Sequence, residues 1–202
     1  MSRRRIILNA PPPVAGARSR TIEVGGESRE LLPFEPVRGE VLTWTQPRFG
    51  RAVYWLESSR GTHLLLHIPG HWVRTPRDCP VESVNGSWSI HMGWALFAHT
   101  MPLHDREGTE LMRHVPGFFN GRVQFPDGAM LRWRRVWRAH ELRDAATPEA
   151  EPLITLSSAF AWFRDQATVT LSDAARSRAD LLPLLALTWL AHIDSRRHRH
   201  YV

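Results

Sequence analysis

The segment Leu181–Ile193 (LLPLLALTWLAHI) constrains this chain more than any other. Its 13 residues are apolar almost all round: Leu181, Leu184, Leu185, Thr188 and His192 lie near one face, and Leu182, Ala186, Trp189, Leu190 and Ile193 cover much of the rest. A membrane crossing needs roughly 20 such residues, so this stretch reads as a helix buried on every side. Ser172-Asp173 offers an N-cap upstream. Pro183 must start the helix or kink it, and Asp180 can cap a helix opening at Leu181.

What precedes it reads as β-structure. Short apolar runs recur at Val41–Thr45, Ala52–Leu56, Thr62–Ile68, Ser87–Met92, Ala95–Thr100, Phe118–Phe125, Met130–Val136, Leu153–Ser157 and Thr168–Leu171. Their spacing, about ten residues, suits consecutive antiparallel strands. Asp127-Gly128 and Asn85-Gly86 are hairpin signals, because glycine and its polar neighbour tolerate the positive φ of a tight turn. A helix apolar on every side needs a container, and a closed sheet is a container without exposed edges. The expected fold is mainly β: a closed antiparallel barrel around a buried C-terminal helix, about residues 174–195.

The order of signals resembles the tubby-like, phospholipid scramblase and LURP-one-related superfamily. The likeness is tightest over Ala167–Asp194 (ATVTLSDAARSRADLLPLLALTWLAHID), where a last strand runs through a short linker into the apolar helix. Upstream, FNGRVQFPDGAMLRW looks like the barrel hairpins of the compact bacterial members. The resemblance implies twelve strands closed around the helix. It also implies a non-enzymatic, membrane-proximal adaptor that binds anionic phospholipid head groups. Two departures stand out. The acidic calcium-binding stretch of scramblases has no counterpart, since Thr168–Arg178 holds only Asp173. The lysines by which tubby domains hold phosphoinositide cannot be mapped, because the chain has none.

Charge narrows the partners. All 26 basic residues are arginines. Residues 1–20 carry five and no acid, residues 196–202 carry three, and the body 21–195 has 18 against 20 acids. Residues 1–20 thus read as a disordered basic arm and 196–202 as a basic tail, both able to attract phosphate non-specifically. Within the body, Leu131–Arg138 (LRWRRVWR) is the strongest surface candidate. On a strand Arg132, Arg134 and Arg138 share one face with Val136, while Leu131, Trp133, Arg135 and Trp137 share the other. Arg132, Arg134 and Arg138 are therefore the candidate phosphate ligands, unless they pair with acids on neighbouring strands.

Other chemistries find less. His63, His67 and His71 recur every four residues, but Pro69-Gly70 breaks any helix there, so they read as outward or edge histidines on a strand. His91, His99, His104 and Asp105 form a loose group without metal-ligand spacing. Cys79 lies in the turn-like Arg77-Asp78-Cys79-Pro80 and reads as a lone surface or half-buried thiol; one cysteine excludes an intrachain disulfide. No GxSxG elbow or glycine-rich phosphate loop occurs. No cofactor is expected, and no convincing targeting segment is present, so the cytoplasm, extending to the membrane surface, is the expected compartment. Two alternatives stay open: nucleic-acid binding through the tails and an Arg/Trp surface, and a histidine-based metal-dependent hydrolase.

Overall fold

The structure is a computed structural model, and it describes residues 8–9, 16–47, 53–69, 77–92, 100–117, 120–137, 139–158 and 165–197. Three strands come first: β1 (Leu8–Asn9), β2 (Arg20–Val24) and β3 (Glu27–Leu31), forming a small sheet. Then follow β4 (Leu42–Thr45), β5 (Val53–Ser58), β6 (Gly61–His67), β7 (Arg77–Ser83), β8 (Ser87–Met92), β9 (Met101–His104), β10 (Glu110–Val115), β11 (Asn120–Gln124), β12 (Met130–Val136), β13 (Ala139–Asp144), β14 (Ile154–Ser158) and β15 (Ala167–Leu171). Each of these pairs antiparallel with its neighbour in sequence, and β15 closes on β4 through Ala167↔Trp44 and Val169↔Leu42. The result is the expected closed twelve-stranded antiparallel barrel.

The helical end has two pieces. Ser172 caps α1 (Asp173–Arg176), its side chain accepting from the Ala175 backbone N–H. The chain then turns and enters α2 (Leu181–Arg197). The Asp180 carbonyl accepts from the Leu184 N–H, so Asp180 takes the cap position foreseen for it. Pro183 falls in the first turn, where a missing N–H costs nothing. α2 runs two residues beyond the expected end and includes Arg196 and Arg197, read from sequence as tail. No helix among the described residues is long and apolar enough to cross a membrane.

α2 fills the barrel. Leu184, Leu185, Ala186, Leu187, Trp189, Leu190, Ala191 and Ile193 are buried and share one core with the lumen side of the wall. Trp189 stacks on Trp44 of β4 (5.4 Å, 3°) and meets Tyr54 of β5 edge-on (5.7 Å). Along β12, Leu131 and Trp133 point in while Arg132 and Arg134 are exposed, the alternation that a sheet buried on one side imposes.

Strands β5 and β6 break that alternation because both their faces are covered. The small sheet lies over the outside of the barrel there, with Ile22, Val24 and Leu31 packed on Val53, Trp55, Leu65 and Val84. Arg20 Nη2 meets the Glu82 carboxylate at 2.8 Å, and its Nη1 donates to the Ser83 carbonyl at 2.6 Å. Arg20, expected to end a disordered arm, is therefore an anchor of the body. Leu8–Asn9 likewise pairs with Glu23–Val24. By charge alone Arg20 belongs with the basic arm, whereas its place in Arg20-Ile22-Val24 is the buried register of a strand.

Candidate functional site

Strand register brings basic residues together on the outer face of β11–β13. Arg132 lies directly opposite Arg122 of β11 on one side and Arg143 of β13 on the other. Neighbouring strands are about 4.8 Å apart, so three guanidinium stems leave the wall within about 10 Å. Arg134, one outward position along, faces Asn120 and Glu141. Glu141 is engaged by Arg143 instead, Nε to Oε2 at 2.9 Å, and Arg143 also donates to the carbonyls of Pro148 and Ala150. Arg122, Arg132 and Arg134 are exposed and form no ion pair with any described residue. Like charges directly opposite on a sheet destabilise it. This row is thus held against a cost that an anionic ligand would remove.

Two of the three sequence candidates, Arg132 and Arg134, therefore stand together, while Arg138 lies outside the described residues. Arg122 and Arg143 were missed, because only the register reveals them. Strand alternation was expected to put Trp137 on the same face as Leu131, Trp133 and Arg135. It is 88% exposed instead, since β12 ends at Val136 and Trp137 sits in the turn to β13, beyond the strand alternation. Among the other tryptophans, Trp44, Trp133 and Trp189 line or fill the lumen and Trp55 is covered by the small sheet.

The histidines sort differently from expectation. His63 and His67 do point away from the lumen, but both are buried. The segment after β3 covers His63: its Nδ1 donates to the Pro33 carbonyl (3.1 Å), which leaves Nε2 to accept from Ser58 Oγ (2.8 Å). Burial lowers the pKa of each. His71 and His99 fall outside the described residues. His91 pairs with Asp78 across β7 and β8. Among the described residues no three His, Cys, Asp or Glu side chains converge as a metal site. Cys79, expected in a turn, is buried on the lumen side of β7, because the Arg77–Ser83 stretch is a strand despite Pro80.

A polar chain appears inside the barrel that no spacing in the sequence announces. His192 of α2 and His140 of β13 approach Nδ1 to Nδ1 at 2.8 Å. His192 Nε2 lies 2.9 Å from Ser158 Oγ, at the end of β14, and His140 Nε2 lies 3.3 Å from Ser195 Oγ. His140 stacks on Trp133 (5.0 Å, 9°) and His192 on Trp189 (5.3 Å, 12°). Beyond Trp133 lies His114 of β10, whose two ring nitrogens are buried without a hydrogen-bond partner and whose pKa burial pushes down to about 4.

Comparisons with protein-family models, with curated proteins and with solved structures return no match.

Proposed function

We propose that this barrel is a membrane-proximal binding protein for anionic phospholipid head groups, and that the outer face of β11–β13 makes the contact. The carrying observation is Arg132 set between Arg122 and Arg143 with only Arg143 neutralised. Guanidinium groups bind phosphate oxygens in pairs, and several within one face give a polyanionic head group simultaneous contacts. Trp137, at the end of the same strand, presents an amphipathic ring of the kind that settles at a bilayer interface. The likeness of the Ala167–Asp194 stretch to the tubby-like and LURP-one-related superfamily supports the same reading by analogy. Nucleic acid is less well served, because Trp137 is the one tryptophan among the described residues with most of its ring exposed, and stacking on successive bases needs several platforms.

The test is co-sedimentation with phosphatidylcholine vesicles with and without phosphatidylserine or phosphatidylinositol bisphosphate, at low and moderate salt, beside a nucleic-acid shift assay. The parent should bind only the anionic vesicles, and more weakly as salt rises. The triple variant Arg122→Ala/Arg132→Ala/Arg134→Ala should lose at least about tenfold in affinity with its circular dichroism unchanged. A folded triple variant that binds like the parent removes this face from the proposal. Tighter binding of nucleic acid than of any vesicle would replace it.

A further inference from the structure

Independently of that face, the hydrogen-bond chain at the rim of the lumen has the parts of a serine nucleophile and its base. Among the described residues, the proton inventory gives it one direction. Ser195 Oγ donates its one proton to the His192 carbonyl at 2.8 Å, so toward His140 Nε2 it can only accept. His140 therefore carries its proton on Nε2, and its Nδ1 accepts from His192 Nδ1–H. His192 Nε2 is left with a lone pair, which receives the Ser158 hydroxyl proton. This is the tautomer that general-base activation of a serine requires, with a third group orienting the base. Exposure follows the same order. His140 and His192 are buried and clamped on indole rings, whereas Ser158, the last residue of β14, is only half-buried. Arg135, directly opposite His140 on the lumen side of β12, is exposed at the same rim and forms no ion pair with any described residue.

We propose that Ser158 is a nucleophile with His192 as its general base and His140 as the positioning residue, acting on carboxylic esters, with Arg135 favouring those whose acyl chain carries a carboxylate. Ser158 Oγ attacks the ester carbon as its proton passes to His192 Nε2. The carbon–oxygen bond to the alcohol then breaks, and the alcohol leaves with that proton. Water attacks the acyl-serine, giving its proton to Nε2. The bond to Ser158 breaks, the serine is reprotonated, and a carboxylic acid is released. In each transfer the doubly protonated His192 keeps its Nδ1–H bond to His140.

The experiment treats the full chain with a fluorophosphonate probe and with p-nitrophenyl acetate and mono-p-nitrophenyl glutarate. Mass spectrometry should place the adduct on Ser158, and hydrolysis should favour the glutarate. Ser158→Ala should abolish labelling, and His192→Gln should reduce it at least about 100-fold. His140→Gln, which can still accept the Nδ1–H, should retain most of the rate, while His140→Leu should shift the pH midpoint of labelling. Should the His192 variant fail to fold, the parent against Ser158→Ala decides alone, since Ser158 sits at the rim. No adduct on Ser158 and hydrolysis equal to that of Ser158→Ala would overturn the proposal and leave the chain as a latch holding α2 in the barrel. The labelling assay contains no vesicles and uses none of Arg122, Arg132 or Arg134, so failure here and failure of the lipid reading are separable.

Discussion

The guanidinium of Arg20, on the first long strand of the chain, lies 2.8 Å from the carboxylate of Glu82 on the barrel wall, and both side chains are about nine-tenths buried. The pair fastens the small sheet over the apolar outer surface of β5 and β6. Ser87 Oγ also donates to the same Glu82 oxygen, Oε2, that meets Arg20.

Arg20→Leu should therefore cost about 3–5 kcal/mol in chemical denaturation, because it leaves a buried carboxylate without its cation. Deleting residues 1–18 should cost no more than about 1–2 kcal/mol. Among the described residues it removes the Leu8–Asn9 edge pairing and the partly buried Ala17, and leaves Arg20 in place. Equal losses in the two variants would show that the small sheet is held by its edge strand and not by the ion pair.

Replacing Arg132 should separate stability from binding. Arg132→Thr removes the middle charge of the Arg122–Arg132–Arg143 row and puts a good strand former in its place. Stability should rise by about 0.2–1 kcal/mol at low salt, or roughly 1–3 °C in melting temperature, and the gain should shrink at high salt. Vesicle binding should fall in the same variant. A drop in melting temperature would mean that these arginines are satisfied in the resting protein.

The filled lumen is the most sensitive part of the fold. Leu185, fully buried in the middle of α2, should not tolerate aspartate: an unpartnered carboxylate there costs several kcal/mol against a typical total of about 5–15. Trp189→Ala should cost about 3–5 kcal/mol, since it empties the space between Trp44 and Tyr54. Circular dichroism and thermal melting read both. A folded Leu185→Asp protein would place α2 outside the barrel.

Acid should unfold the protein partly through His114. Its pKa falls from an ordinary 6.5 to about 4 because burial disfavours the charged ring. The unfolded chain takes up the proton below pH 6.5 and the native one does not. Stability is therefore unaffected above that pH and is lost as pH falls from 6.5 toward 4, by about 3 kcal/mol in all. His63 and His67 act in the same direction. His114→Leu, which also removes two unpartnered nitrogens, should match or exceed the parent at pH 8 and flatten the decline below pH 6.5. An unchanged acid limb would show that His114 does not carry it.

The general architecture was legible because it follows from one-dimensional patterning. An apolar surface all round Leu181–Ile193 demanded a container, regularly spaced β-runs supplied it, Ser172 announced the first helix start through its side-chain cap, and Asp180 stands at the cap position of the second with its carboxylate held by Arg178. Strands β7, β9, β10 and β13 were not legible; β9 starts just past the expected run Ala95–Thr100, most of which lies outside the described residues. β10 and β13 bury alternate residues on the lumen side, as with His140 and Leu142, and carry charge between them, while β7 has Glu82 and Ser83 among its buried residues, so no apolar run marks these three. The coverage of β5 and β6 was equally hidden, because nothing local says that a distant sheet will lie on their outer face. The two sites are wholly tertiary. Arg122, Arg132 and Arg143 form a row only in this strand register, and a shift of one residue would turn Arg132 into the lumen. Ser158 and His140 lie 34 and 52 residues before His192 in the chain, and they meet it only because the sheet closes around α2.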